Sequence, residues 1–174
     1  MPDRILAETR FLRLVDRDGW TFVERPNSKG VVTVIPLTAS RKLLFVEQFR
    51  APLGCRAVEF PAGLMGDERG HEHEDPVGSA GRELIEETGY RADALELVAS
   101  TSTSPGMTNE IVHFVMASSL VRVGQGGGIE GEDIVVHEVP LREARDWLRT
   151  KEREGFVVAA KVYAGLYFAN ERWG

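Results

Sequence analysis

The residue types and spacing best suited to chemistry lie in Arg82-Glu83-Leu84-Ile85-Glu86-Glu87-Thr88-Gly89-Tyr90. On a helix, Arg82, Glu83, Glu86 and Glu87 share one arc of about 140°, opposite Leu84 and Val77. Arg82 and Glu86 stand four residues apart and can form a helical ion pair. Glu83 and Glu87 have the same spacing, where like charges oppose each other by a few tenths of a kcal/mol. A solvated acidic face is the bland account of that repulsion. A hard divalent cation is the better one, because Mg²⁺ takes oxygen ligands, keeps several waters and bridges carboxylates to phosphates.

A helix must carry these groups, and its ends are legible. Asp75-Pro76 reads as an N-cap followed by proline at the first helical position, and Gly89 as the C-terminal stop. Between them Val77, Ala80, Gly81, Leu84 and Thr88 share the apolar face. Upstream the pattern is that of strands. Glu8–Val15 and Trp20–Arg25 flank the hairpin turn Asp16-Arg17-Asp18-Gly19, and the runs Val31–Ile35 and Leu43–Phe49 follow. A short strand ends in Glu59-Phe60-Pro61-Ala62-Gly63. Downstream, strands are expected at Leu95–Ala99, Ile111–Ala117 and Ile134–Val139, with helices at Leu141–Thr150 and Val157–Asn170. The pattern implies an α/β fold with helices packed on mixed sheet, in one domain spanning residues 1–174.

The chain has 174 residues, 43% of them apolar and 28% charged, which is ordinary for a globular domain and argues against wholesale disorder. Its net charge of −6 argues against a nucleic-acid partner. That charge is also awkward for an anionic substrate unless cations stand between protein and ligand. The single cysteine, Cys55, has no internal disulfide partner and suits a reducing cytoplasm. The first eight residues hold no apolar signal core, and no apolar run approaches the ~18 residues of a membrane span.

With Glu74 separated from Arg82 by seven residues, the segment resembles the Nudix hydrolase box, E-x7-R-E-U-x-E-E-x-G-U with U apolar. The family's opening glycine has its counterpart in Gly63, with a longer loop between Gly63 and Glu74; such insertions cost little. The resemblance implies a Nudix α/β/α sandwich in which Glu83, Glu87 and the backbone carbonyl of Ala62 hold Mg²⁺, with Mn²⁺ as a possible substitute. It implies that Glu86 is a further ligand or hydrogen-bond partner, that Arg82 holds the acidic cluster, and that Glu74 supports it.

Flanking segments resemble one branch of that family, the ADP-ribose pyrophosphatases and nucleoside diphosphate sugar hydrolases. They are Glu47-Gln48-Phe49-Arg50, Phe60-Pro61-Ala62-Gly63 and Ser104-Pro105-Gly106-Met107-Thr108-Asn109-Glu110, and the resemblance covers most of residues 30 to 170. It implies substrate contacts around Arg50, Arg56, Glu59, Pro105 and Gly106, although a surface arginine is the plain reading of Arg50 and Arg56. Glu130-Gly131-Glu132-Asp133 resembles the branch's mobile loop carrying a catalytic glutamate. Glu130 is then the expected general base and Glu132 a metal ligand, and the reverse assignment is also open. The branch also implies a homodimer built through strands in residues 1–30.

Other features read as structural. The glycines of Gly124-Gln125-Gly126-Gly127-Gly128 lack the following helix of a phosphate cradle and are expected to be a flexible linker. His71 and His73 in a polar loop are a weak zinc pair. Cys55 has no activating partner. His113 and His137 in apolar strands are expected to be hydrogen-bonded structural imidazoles. Phe11, Trp20 and Phe22 are expected in core or dimer packing rather than stacked on a base.

Overall fold

The computed structural model describes residues 3–67, 70–71, 73–128 and 131–174. Its first three strands, β1 (Arg4–Glu8), β2 (Arg13–Arg17) and β3 (Trp20–Glu24), form an antiparallel meander. Asp18 and Gly19 both take positive φ, 52° and 86°, the paired left-handed geometry of a type I′ hairpin whose twist matches its strands. The strand expected over 8–15 is broken in two. The Thr9 hydroxyl accepts the amides of Phe11 (3.2 Å) and Leu12 (3.0 Å), while the Thr9 amide donates to the Leu12 carbonyl at 2.8 Å. That local alternative to the ladder turns the chain where the apolar pattern runs on.

Two mixed four-stranded sheets follow. One is ordered β7 (Ala62–Leu64), β4 (Val31–Pro36), β9 (Ile111–Arg122), β8 (Tyr90–Ser102), with β4 and β9 parallel. The other is β10 (Val135–Pro140), β5 (Lys42–Arg50), β6 (Cys55–Glu59), β11 (Val157–Val158), with β6 and β11 parallel. Strand β4 is buried from end to end because successive side chains enter two different cores. Val32 and Val34 join Leu44, Val115 and Ala117 beneath Ala80 and Leu84 of helix α1 (Pro76–Thr88). Val31 and Ile35 join Leu43, Phe45, Phe60 and Phe114 beneath Leu148 and Val162, from helices α2 (Ala144–Arg153) and α3 (Ala160–Trp173). The result is the helix–sheet–helix layering expected, with α1 on one side and α2 and α3 on the other. Stacked rings tie the second core together: Phe45 lies 4.8 Å from Phe60 and 5.2 Å from Trp147 between centroids.

Helix α1 has the caps its sequence announces. The Asp75 carboxylate accepts the Gly78 amide at 2.7 Å, Pro76 is the first helical residue, and Gly89 closes the helix at φ 74°. Elsewhere boundaries shift. Residues Leu141–Glu143 form a 3-10 turn ahead of α2, and Val157–Val158 pair with Ala57–Val58 as a strand, so α3 starts only at Ala160. Strands β8 and β9 run well past their expected ends. No described helix is long and apolar enough to cross a membrane.

Candidate active site

Burying Ala80 and Leu84 against the sheet fixes the rotation of α1 and turns its acidic arc toward β7. Glu83, Glu86 and Glu87 there line a cleft of about 570 Å³, which Glu59, Ala62, Gly63 and Arg50 also line and Glu132 enters from the loop before β10. Contact between α1 and β7 is intimate. A Cβ on Gly63 would stand 2.0 Å from the Glu83 carboxyl carbon, so only glycine leaves that carboxylate its place. The Ala62 amide donates to Glu87 Oε2 at 3.1 Å.

Arg82 gathers the acids of the box. Its Nη1 lies 2.9 Å from Glu83 Oε1 and 3.1 Å from Glu86 Oε2, and its Nε is 3.4 Å from Glu74 Oε2. Glu87, at 5% exposure, is the most enclosed of the three helix acids. Burial pushes its carboxyl up to about 8, and the neighbouring charge of Glu83 adds to the rise; the Ala62 amide opposes it, while Glu132 and Glu59 add smaller increments. A buried carboxylate that strained by like charge calls for a cation. Among the described residues no three His, Cys, Asp or Glu side chains close into a complete protein cage. An ion that retains most of its waters and takes one or two carboxylates needs no such cage, so the donor set fits a hard divalent ion.

The loop before β10 is built differently from the linker expected of its glycines. The amides of Gly127 and Gly128 donate to the carbonyls of Glu87 (2.8 Å) and Glu86 (3.0 Å), and those of Val123 and Gly124 to the Gly89 carbonyl. A Cβ on Gly126 would stand 2.3 Å from the Thr88 carbonyl carbon. The glycines thus satisfy carbonyls at the end of α1 that the helix leaves unpaired, and only bare backbone comes that close. Gly128 leaves room for Glu132, whose Oε2 would lie 2.2 Å from an added Cβ. Glu130, the expected base, lies outside the described residues.

Arg50 Nε donates to Glu59 Oε1 at 2.5 Å, and Lys161 Nζ stands 3.6 Å from Glu59 Oε2. Both cations line the cleft, as does Arg25, paired with Glu110 at 2.8 Å. The sequence reading missed Lys161, Arg25 and Glu110 as cleft residues. Lys161 lies in the first turn of α3 with no companion at helical spacing, and Arg25 meets Glu110 only through the tertiary fold. Three expected substrate residues are not among those that line the cleft. Arg56 is bonded to Glu47 and Asp133. Pro105 and Gly106 are exposed in a turn beside the N-terminal sheet, where the Gly106 carbonyl accepts Trp20 Nε1 at 3.2 Å.

The remaining side chains have ordinary partners. His113 Nδ1 lies 2.8 Å from Ser100 Oγ, and His137 Nε2 2.9 Å from Glu47 Oε2. His71 faces Glu74 while His73 faces Lys29, so the two rings serve different neighbours. Phe22 is buried, but Phe11 and Trp20 are exposed.

A NUDIX domain model matches residues 28–159, from the turn before β4 to the start of α3. The chain belongs to the Nudix family. This Nudix chain is 38% identical over 141 residues to the ADP-ribose pyrophosphatase of Bacillus subtilis, covering 75% of this chain and 74% of that one. It is 30% identical over 180 residues to the GDP-mannose pyrophosphatase of Cronobacter sakazakii, covering 93% and 89%. It is also 40% identical over 123 residues to the methanol dehydrogenase activator of Bacillus methanolicus, covering 70% of this chain and 64% of that protein's length. The fold is shared with a solved ADP compounds hydrolase at a TM-score of 0.76 and 20% identity, over 98% of this chain and 91% of that one. The chain is thus a Nudix pyrophosphohydrolase, of a class that generally uses divalent metal ions.

Proposed function

We propose that this Nudix enzyme hydrolyses the diphosphate of a nucleoside diphosphate sugar, ADP-ribose first, to a nucleoside monophosphate and a sugar phosphate, with Mg²⁺ as the working ion and Mn²⁺ as a substitute. The observation that carries the reading is the pairing of Glu83 and buried Glu87 with β7 in a cleft that Arg50 and Lys161 also line. Glu83, Glu87 and the Ala62 carbonyl hold the ion, with Glu86 and Glu132 as further oxygen donors. When bound, Mg²⁺ offsets the diphosphate charge and activates the attacking water. Arg82 keeps the acids apart and oriented. Arg50, oriented by Glu59, receives phosphate oxygens, for which a guanidinium fork is suited. The water oxygen bonds to one phosphorus, the bond from that phosphorus to the bridging oxygen breaks, and a loop carboxylate, Glu130 or Glu132, takes the water's proton.

A GDP- or UDP-linked hexose is the second reading, favoured by the similarity to GDP-mannose pyrophosphatases across nearly the whole chain. A binding module without turnover is disfavoured by the full acid set. Incubation with Mg²⁺ and a panel of nucleotide sugars, with products identified by chromatography, decides among the three. ADP-ribose converted fastest to AMP and ribose phosphate supports the first reading, and binding without products on the whole panel overturns it.

We further infer one domain over residues 1–174, a cytoplasmic setting, and no nucleic-acid or membrane partner. We also infer a homodimer formed through β1, β2 and β3, where Ile5, Leu6, Leu14 and Trp20 of the strands and Leu12 of the turn between β1 and β2 are exposed apolar residues. Light scattering giving a dimer mass supports that assembly, and a monomer mass at every concentration contradicts it.

A further inference from the structure

Arg56 does not line the cleft, and its guanidinium bridges two chain segments. Nε donates to Glu47 Oε1 at 2.7 Å and Nη2 to the Glu47 carbonyl at 3.2 Å. Nη1 donates to Asp133 Oδ2 at 2.8 Å and Nη2 to the Asp133 carbonyl at 3.3 Å. One planar fork thus binds a carboxylate and a backbone carbonyl on each side, a geometry that an ammonium does not supply.

The two sides differ in rigidity. Glu47 is 8% exposed in β5 and also meets His137 (2.9 Å) and Lys151 (3.3 Å), so it is fixed from three elements. The Asp133 side chain is 81% exposed, in the loop residue that directly follows Glu132. Exposed ion pairs add little to global stability, so this one has a local consequence instead. Upstream, Gly127 and Gly128 are bonded to the carbonyls of Glu87 and Glu86. Glu132 therefore sits between one anchor on α1 and another on the β5–β6 pair.

We propose that Arg56 is a positioning residue for Glu132, acting through Asp133 as the downstream anchor of the loop. The proposal rests on the reading of Glu132 as a working acid of the hydrolase. A misplacement of about 1 Å in such a group is enough to cost on the order of a hundredfold in rate. Arg56 sets where the acid stands and makes no contact with substrate.

The full chain is tested as wild type, Asp133→Asn, Arg56→Ala and the double variant, by steady-state kinetics on ADP-ribose with Mg²⁺ and by amide exchange across residues 126–137. Asp133→Asn alters only an exposed side chain and so keeps a folded protein available if Arg56→Ala fails to fold. The expected result is a kcat lowered about tenfold in each single variant with KM within about twofold, and a double variant no worse than Arg56→Ala. Exchange should quicken at least about threefold in the loop in each variant, with α1 unchanged. A raised KM at unchanged kcat, effects that multiply in the double variant, or unaltered loop exchange would overturn the proposal. Because exchange needs no substrate, it decides the anchor even if wild type turns over no nucleotide sugar, a result that would count against the hydrolase reading alone.

Discussion

The carboxylate of Glu83 occupies the space that a side chain on Gly63 would need, with Oε1 2.0 Å from the position of a Cβ there. Helix α1 and strand β7 are locked by that contact, and the geometry of the acidic wall depends on a missing methyl group.

Gly63→Ala should therefore displace Glu83 and lower kcat by about a hundredfold, the scale of an ångström-sized error in a working group. Because the obstructing atoms are the far end of a flexible side chain, Glu83 can swing aside and stability should fall by less than about 1 kcal/mol. Steady-state kinetics and thermal melts of the same samples check both. A variant that keeps full activity would mean that Glu83 is free to move without consequence.

The glycines after β9 make a second sharp contrast. Gly126 combines φ 71° with backbone 2.3 Å from its missing Cβ, whereas Gly54 has φ 65° and open space around it. Alanine at position 54 should cost only the left-handed backbone, about 1–2 kcal/mol. Alanine at position 126 should cost more and also disturb the end of α1 that carries Glu86 and Glu87. Denaturant melts of the two variants test the difference, and equal losses would refute the close packing.

The α1 box was legible because it is local. Asp75, Pro76 and Gly89 mark its ends, and helical spacing puts Glu83, Glu86 and Glu87 on one arc. The layered fold was legible for a related reason, since β-branched runs such as Val31–Ile35 and later segments at helical spacing name the sheet and helices that must pack together. What stayed hidden depends on tertiary contact. A glycine-rich stretch looks the same whether it swings free or caps a helix, and only the bonds from Gly127 and Gly128 distinguish the two. Arg56 and Arg50 are equivalent on paper; the pairing of β5 with β6 sends one to Glu59 in the cleft and the other to Asp133 outside it. Thr9 broke a strand through a hydroxyl turn that the apolar pattern does not encode.

Glu87 should leave a signature in stability against pH when no metal is present. Its folded value of about 8 lies above the ordinary 4.5, so the folded protein holds a proton there that the unfolded chain releases. The contribution is fully present below about pH 4.5 and is lost as pH rises through about 8, at a slope of up to ~1.4 kcal/mol per pH unit. Glu87→Gln should flatten this decline in chelator-treated samples. Parallel curves for wild type and variant, followed by thermal melts from pH 5 to 9, would contradict the assignment.

Lys161 should matter for substrate binding, given its place in the cleft beside Glu59 and Arg50. Lys161→Met is expected to raise KM for ADP-ribose about five- to tenfold while kcat changes less, as loss of a uniform binding contact does. An unchanged KM would remove Lys161 from the anion-receiving wall.

The acids of α1 as the seat of a divalent ion are tested most directly by calorimetric titration of the purified, chelator-treated chain with Mn²⁺ and Mg²⁺, in wild type and in Glu83→Gln/Glu87→Gln. Wild type should bind with an affinity that rises with pH up to about 8 as Glu87 gives up its proton, and the double variant should lose at least about tenfold of it. Equal affinity in the two proteins would contradict the account.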